Sequence, residues 1–391
     1  MLVQSLDCET TTHNIGNPFD NRNKLCAIGT HGDSDTAVVS VEWGDLPYGQ
    51  SLTHFKEWCD TVDLFLFFNA KFDLAWLWKY GIDLTNKKVW DCQLFEYIAS
   101  NQTWTYPDLE TSCQKRGITT LKERDIEAYW EAGIDTTDIP WEIIEKRVKG
   151  DAALTYLLYQ KQLEEFNTWS QARKNLFRLH CSDLIVLHEI ERNGFYYDEE
   201  ASKEEADKTS ARLLEIEAKI RTYAPPEVSV NLNSPQQVSA LLYGGTITLI
   251  QQVEAGVFKT GPHTGQPKFR KVAFDVVLPR LVEPVDGTKL EKGEFWSSDQ
   301  KVLGRLLHSR LLASSRRLLT LLLEYSKQQR SISSYTQGLP KLIEKMHWPR
   351  NMLYGKVNQV TVVTGRTSSS EPNLQNFDTN LKHLFKSRYG T

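Results

Sequence analysis

The first 167 residues alternate short apolar runs with amphipathic stretches, and this alternation restricts the fold more than any other feature of the sequence. Residues 2–6, 37–41 and 64–69 have the length and composition of β-strands. Helical patterns follow these runs, and strands that alternate with helices indicate an α/β domain of three layers. The helical patterns cover residues 52–59, 72–78, 92–99, 108–116, 141–148 and 152–166.

From residue 168 the pattern changes to long helices, which dominate residues 168–352. Residues 245–297 interrupt the helices with glycines, prolines and alternating apolar positions, which indicates a small β-rich insertion. Residues 353–391 have strand and loop patterns and are expected to form a third segment. The helical patterns of the middle segment cover residues 176–192, 199–223, 299–312 and 316–329.

Charge is distributed unevenly along the chain, although the net charge is only −4. Residues 1–150 hold 14 basic and 24 acidic residues, a net charge of −10. Residues 301–391 hold 15 basic and 4 acidic residues, a net charge of +11. An acidic beginning suits a site built from metal-binding carboxylates, and a basic end suits contact with a phosphate backbone.

Two classes of protein are not expected from the composition. The sequence has no apolar run of 18 residues, which argues against a membrane-spanning helix. Its six cysteines show no CxxC spacing, which argues against a zinc site and favours reduced thiols in a cytoplasmic setting.

Two carboxylates, Asp7 and Glu9, are separated by one residue on the first predicted strand. Side chains two apart on a strand point to the same face, so both carboxylates can belong to one site. Hard cations such as Mg²⁺ prefer oxygen ligands of this kind, and two such ions can promote phosphodiester hydrolysis. The pair alone is a weak signal.

Three motifs make the signal specific: LDCET at 6–10, FNAKFD at 68–73 and GDAALT at 150–155. In this order they resemble the DEDD 3′→5′ exonuclease domain of family A DNA polymerases. The resemblance implies an α/β RNase H-like exonuclease domain over residues 1–167 that binds two Mg²⁺ or Mn²⁺ ions. The implied catalytic metal ligands are Asp7, Glu9, Asp73 and Asp151, and the implied contacts with nucleic acid include Asn69, Lys71 and Arg147.

Arg147 is a departure from the family, which usually has tyrosine four residues before the last aspartate. Four residues is one helical turn, so that tyrosine shares a face with the aspartate and can orient the attacking water. Arginine cannot act as a base near neutral pH, although it can hold a phosphate. We expect exonuclease activity with a water that is less well placed.

Two later stretches, LLLEYSKQQRSISSYTQGLP at 321–340 and TGRTSSSEPNLQNF at 364–377, also resemble family A polymerases. The resemblance implies a mainly α-helical thumb region (168–352, with the insertion at 245–297) followed by the first strands of a palm (353–391). Primer–template DNA and single-stranded 3′ ends are the implied ligands, although serines in such loops also cap their own backbone. The implied contact residues are Lys327, Arg330, Ser331, Ser334, Tyr335, Arg366, Ser368, Ser369, Asn373, Gln375 and Asn376.

Residues 301–391 contain one aspartate, Asp378, and therefore lack the acidic pair that would bind the polymerase metals. The sequence thus predicts that this chain alone does not synthesise DNA, and that a second polypeptide carries the remaining palm and fingers. A phage-type source would place the protein in the host cytoplasm. Two alternatives stay open, a non-catalytic DNA-binding subunit with a degenerate exonuclease and a free-standing RNase D-like exonuclease.

Overall fold

The structure is a computed structural model that describes residues 1–33, 35–43, 49–119, 125–226, 228–291 and 295–388. The chain divides into two compact units, Met1–Glu199 with Leu339–Thr391, and Glu200–Gly338. These limits differ from the predicted domain limits at residues 167 and 352, and the domain assignment stays a prediction. Residues 292–294 of the predicted insertion and 389–391 of the predicted palm lie outside the described residues.

The first unit is built around a five-stranded mixed sheet with the order β3-β2-β1-β4-β5. Strand β2 is antiparallel to β1 and β3, whereas β4 is parallel to β1 and β5. The sequence predicts β1, β3 and β4 but misses β2 and β5. The strands are β1 (Val3–Thr10), β2 (Leu25–His31), β3 (Thr36–Ser40), β4 (Leu64–Phe67) and β5 (Lys88–Asp91).

Helices accompany the sheet, and most lie where the sequence predicts them. Those of the first part of the chain are α1 (Gly49–Thr61), α2 (Ala70–Lys79), α3 (Cys92–Ala99), α4 (Leu109–Lys115), α5 (Asp125–Glu131), α6 (Trp141–Thr168) and α7 (Gln171–Asn193). In the part of the chain that the structure describes, none of the helices is long and apolar enough to cross a membrane.

Helix α6 differs from the prediction of two separate helices at 141–148 and 152–166, which is wrong. It runs without interruption for 28 residues through Gly150. A glycine inside a helix costs about 1 kcal/mol relative to alanine. Val148 and Ala152 on either side of it are fully buried, and the burial of this face offsets the cost.

The two faces of the sheet carry different side chains because successive residues of a strand alternate in direction. On β1, Ser5 faces α6, and its Oγ donates a hydrogen bond to the carbonyl of Ala152 at 2.7 Å. Leu6 and Cys8 point the other way and are buried in the same core cluster as Leu74 of α2. The sheet with its helices agrees with the mixed α/β class, and the RNase H-like assignment stays a prediction.

The first unit also contains two small sheets formed with the predicted palm segment. Strand β6 (Phe195–Tyr197) lies between β9 (Met352–Leu353) and β12 (Phe385–Lys386). Strand β10 (Lys356–Asn358) pairs with β11 (Ser368–Ser370) in an antiparallel ribbon. Helix α12 (Gly338–Lys345) precedes β9 along the chain.

In the residues that the structure describes, the second unit contains helices and one long ribbon. Strands β7 (Gly245–Val257) and β8 (Pro267–Leu278) form this antiparallel ribbon within the predicted β-rich insertion. Buried side chains of the ribbon base join a core with the helices, and Ile247, Leu241 and Leu318 belong to it. The helices are α8 (Glu199–Arg221), α9 (Pro235–Tyr243), α10 (Gln300–Leu307) and α11 (Ala313–Ser331).

Candidate active site

Three carboxylates converge where β1 faces α6. Asp7 and Glu9 come from β1 and Asp151 comes from α6, and one ligand oxygen of each lies within 4.8 Å of the others. Glu9 and Asp151 are each only 7% exposed, and Asp7 is half-buried. Carboxylate oxygens that meet at such distances fit a hard divalent cation.

The approach of α6 to the sheet depends on a glycine of β2. Gly29 pairs directly with Asp7. A Cβ atom at Gly29 would lie 2.6 Å from the backbone carbonyl oxygen of Val148 in α6, which is closer than real contacts allow. The absence of a side chain at Gly29 therefore lets α6 come close enough for Asp151 to join Asp7 and Glu9.

Replacing Gly29 by alanine is expected to lower the free energy of unfolding by about 1–3 kcal/mol, because the added methyl group forces the helix backbone away from the sheet. Urea denaturation followed by circular dichroism measures this change. Gly150→Ala in α6 is the matched control, since nothing lies within 4 Å of its Cβ position. That variant should be as stable as wild type or more stable. Equal stability of both variants would contradict the role of Gly29.

Asp73, the fourth predicted ligand, is held against the back of β1. Its Oδ1 accepts a hydrogen bond from the backbone N–H of Cys8 at 3.0 Å. Burial raises the pKa of Asp73, although this hydrogen bond opposes the shift. Asp73 is not among the three carboxylates whose oxygens converge within 4.8 Å. The structure thus brings three of the four predicted ligands into one group and leaves the fourth beside it.

The carboxylates destabilise each other's charge. The pKa of Asp7 is raised well above its ordinary value, first by burial and then by repulsion from Asp151, Asp73 and Glu9. Arg147 acts in the opposite direction on the pKa of Asp7. The positive charge of Arg147 therefore stabilises the ionised form of Asp7, which is the form that would bind a metal ion.

Arg147 supplies such a charge from within the chain. Its Nε lies 2.7 Å from the Asp151 carboxylate, one helical turn away, and 3.2 Å from the Glu9 carboxylate. The Arg147 side chain is only 11% exposed. Burial disfavours its charge, but attraction to Asp151, Glu9 and Asp7 outweighs burial and raises the pKa of Arg147. The guanidinium is thus a cationic part of the carboxylate group.

Asp91 is a residue with a positioning role that the sequence prediction omits. It is 1% exposed, and its two oxygens accept hydrogen bonds from the backbone N–H groups of Ala70 at 2.6 Å and Leu94 at 2.8 Å. Asp91 thereby fixes the start of α2, which carries Asp73, and caps α3. An aspartate directly before an amphipathic helical pattern is the sequence signal that indicates such a cap.

Two predicted nucleic-acid contacts lie at the start of α2. Asn69 is exposed and has a left-handed backbone conformation with φ of 69°. Lys71, in contrast, makes an ion pair of 2.6 Å with Glu191 of α7 and also donates to the carbonyl of Val357. The side chains of Lys71 and Glu191 are only 15% and 13% exposed. Lys71 therefore connects elements of the first unit.

The predicted contacts of the second unit lie at the end of α11. Lys327 and Arg330 are exposed on this helix, and Ser334 is exposed in the π-helical turn Ile332–Thr336 that follows. Ser331 and Tyr335 are half-buried. Single π-helical turns often occur at functional positions.

The predicted contacts of the palm segment divide into structural and exposed residues. Ser369 is buried, and its Oγ accepts a hydrogen bond from the N–H of Leu374 at 3.0 Å. The Oγ of Ser368 lies 2.7 Å from the Oγ1 of Thr361. These contacts shape the loop. The exposed members of this group are Arg366, Asn373, Gln375 and Asn376.

Two of the exposed loop residues also have partners inside the loop. The Oδ1 of Asn373 accepts from the N–H of Gln375 at 3.1 Å. The Gln375 amide donates to the carbonyl of Thr367 at 3.2 Å. Among the residues of this loop, Arg366 carries the one basic side chain and is exposed.

The chain is similar in sequence to DNA polymerases. Residues 271–389 match the sequence model of DNA polymerase family A. DNA polymerase I of Synechocystis sp. is 25% identical over 311 residues, which cover 79% of this chain and 26% of that protein. The DNA polymerase of Bacillus phage SP01 is 23% identical over 373 residues, which cover 83% of this chain and 36% of that protein. The chain spans about a quarter to a third of the length of the curated relatives that it matches.

The fold is similar to a solved structure described as the POL domain of Pol1 from M. smegmatis in complex with DNA primer–template and dNTP. The TM-score is 0.63 at 16% identity, and the match covers 97% of this chain and 53% of that chain. Residues 271–389 are therefore similar to DNA polymerase family A, and most of the chain is similar in sequence to DNA polymerase I. This confirms the polymerase part of the sequence resemblance.

Proposed function

We propose that this protein removes nucleotides from DNA 3′ ends with a divalent cation such as Mg²⁺ or Mn²⁺, and that it binds primer–template DNA. The convergence of Asp7, Glu9 and Asp151 within 4.8 Å carries the first part of the proposal. The order of the motifs around these residues supports DNA 3′ ends as the substrate, and the mixed sheet with α6 on its site face supports the RNase H-like class.

The reaction is hydrolysis of the terminal phosphodiester bond. The oxygen of a water attacks phosphorus, the bond from phosphorus to the 3′ oxygen breaks, and a proton passes to that leaving oxygen. A bound divalent cation would polarise the phosphate and lower the pKa of the water. Asp7, Glu9 and Asp151 would hold the cation. Asp73 would fix the position of β1 against α2 by accepting a hydrogen bond from the N–H of Cys8.

Arg147 has a role that differs from that of a base. Its guanidinium keeps its proton at neutral pH, so it cannot accept one from water. Its N–H groups can donate to a phosphate oxygen that enters beside Asp151. Arg147 would therefore orient the phosphate, while the water is oriented by carboxylates alone.

The assay that tests the proposal uses single-stranded DNA labelled at its 5′ end, mixed with the purified chain and Mg²⁺ or Mn²⁺. A ladder of products shortened by one nucleotide at a time is expected, and chelation of the cation should stop it. If the DNA stays intact with either metal ion while circular dichroism shows that the chain is folded, the exonuclease proposal is rejected.

The second candidate function is a DNA-binding protein whose exonuclease fold is retained without activity. The ion pairs of Arg147 with Glu9 and Asp151 favour this candidate, because they engage two of the carboxylates that would bind metal. If the DNA is not shortened in the assay above and the chain binds primer–template DNA tightly, the results favour this second function. The match to the polymerase family at 271–389 argues against a free-standing RNase D-like enzyme.

Primer–template binding is proposed from charge and similarity. Residues 301–391 carry a net charge of +11, and Lys327, Arg330 and Arg366 are exposed. The M. smegmatis structure of similar fold is described with a DNA primer–template. Binding through phosphate contacts should weaken steeply as salt rises, because counterions are released from the DNA. The second polypeptide expected from the sequence stays a prediction, and primer extension before and after its addition would test it.

Replacing Arg366 by alanine is expected to weaken binding to a primer–template junction about tenfold, or about 1.4 kcal/mol, and to affect single strands less. The reason is that a forked guanidinium in an exposed loop can contact groove edges and backbone together. Fluorescence anisotropy with both DNAs measures the two affinities. Arg317→Ala removes the same charge from an exposed position on α11 and should weaken both affinities equally. If Arg366→Ala weakens binding to the junction and to single strands equally, the result contradicts junction recognition.

A further inference from the structure

We infer that Arg147 takes the place of one of the two divalent ions, so that the carboxylate site binds a single ion beside a permanent guanidinium. This inference rests on the proposed metal-dependent function and departs from the two ions that the sequence resemblance implies. It concerns how many ions the site holds, which can be measured without DNA and without turnover.

Coordination is the first argument. A divalent ion needs several oxygen ligands at short distances, and carboxylates are the protein groups that supply them. Arg147 already lies 2.7 Å from the Asp151 carboxylate and 3.2 Å from the Glu9 carboxylate. A second ion bridging these two carboxylates would have to displace the guanidinium from both of them.

The position of Asp73 is the second argument. A second ion would need further oxygens, and Asp73 is the remaining acid of the predicted set. Its Oδ1 is engaged by the N–H of Cys8 at 3.0 Å, and it stands outside the group of three. While Arg147 engages Glu9 and Asp151, the remaining oxygens of the three carboxylates fit one ion, whose coordination water would complete.

Confinement of Arg147 is the third argument. Its side chain is 11% exposed, and Glu9 and Asp151 are each 10% exposed along their side chains. A mobile surface arginine could leave when an ion arrives, but a buried guanidinium has to lose two charged contacts to do so. Arginine also remains charged throughout the usual pH range, so deprotonation cannot remove its positive charge from the site.

The experiment is a titration of the full chain with Mn²⁺, followed by isothermal calorimetry and by the loss of the free Mn²⁺ signal in electron paramagnetic resonance. Wild type is expected to bind one ion per chain at this site. Arg147→Ala is expected to bind two, because Glu9 and Asp151 become available. Asp7→Asn in the wild-type background should weaken the single ion at least tenfold.

The matched control is Lys149→Ala, which removes a positive charge from the same helix. Lys149 is paired with Glu145, and residues two positions from Arg147 and Asp151 lie on the opposite side of the helix, so one ion is expected. Arg147→Gln serves if Arg147→Ala does not fold, since it removes the charge and keeps a polar side chain. Circular dichroism verifies that each titrated variant is folded.

Two ions in wild type, no ion in wild type, or one ion in a folded Arg147 variant would each overturn the inference. The hydrolysis assay reports separately on the proposed function. One ion with intact DNA would reject the exonuclease while retaining the inference. Shortened DNA with two ions in wild type would reject the inference while retaining the exonuclease.

Discussion

Asp7→Asn is expected to slow the removal of 3′ nucleotides by about a thousandfold, or about 4 kcal/mol of activation free energy. Asp7 is the member of the carboxylate group that has Glu9, Asp151 and Asp73 as charged neighbours. An amide keeps the shape of the side chain but loses the negative charge that holds a cation. Initial rates on labelled single-stranded DNA, measured at saturating Mg²⁺, give the change.

The same substitution is expected to stabilise the metal-free protein near neutral pH. Burial and neighbouring acids raise the pKa of Asp7, so the folded chain holds the Asp7 proton more tightly than the unfolded chain does. The folded state therefore loses stability relative to the unfolded state as pH rises from the ordinary aspartate range through the raised pKa. An asparagine side chain in place of Asp7 would carry no charge and would avoid this loss.

Opposite changes of activity and stability distinguish a site residue from a structural one. Replacing a residue that only supports the fold would lower both activity and stability. Asp207→Asn, at an exposed position of α8, is the control that should change neither quantity. Undiminished hydrolysis by Asp7→Asn would point to a contaminating nuclease and reject the assignment of Asp7.

The sequence predicts the first part of the site because simple periodicities determine it. Asp7 and Glu9 share a face through the two-residue period of a strand. The family resemblance implies Asp151 as a ligand, and Arg147 shares a face with it because four residues make one helical turn. These local rules do not depend on the rest of the chain.

What the sequence prediction misses depends on contacts between distant segments. Strand β2 has no alternation, because its residues are buried on both faces, and Gly29 inside it resembles a strand breaker. The need for glycine at position 29 becomes evident only from the close approach of the Val148 carbonyl in the folded chain. The break predicted near Gly150 has the opposite explanation, since the burial of α6 on the sheet overrides local propensity.

Lys71 is predicted to contact nucleic acid, and the structure gives it a largely buried ion pair with Glu191. Replacing Lys71 by methionine is expected to lower the free energy of unfolding by about 3 kcal/mol, because Glu191 is left as a buried charge without its ammonium partner. Urea denaturation measures the change. Lys161→Met is the control, because Lys161 and Glu164 form an exposed pair whose loss should cost less than about 0.5 kcal/mol.

A second substitution separates the structural role of Lys71 from contact with DNA. Glu191 also accepts a hydrogen bond of 2.6 Å from the N–H of Val357, so glutamine at this position removes the charge and keeps an acceptor. Lys71→Met combined with Glu191→Gln is therefore expected to recover about half of the lost stability. If Lys71 is structural, this double variant should bind single-stranded 3′ ends as tightly as wild type. If the double variant is stable but binds DNA more weakly, the result supports the contact of Lys71 with nucleic acid that the sequence predicts.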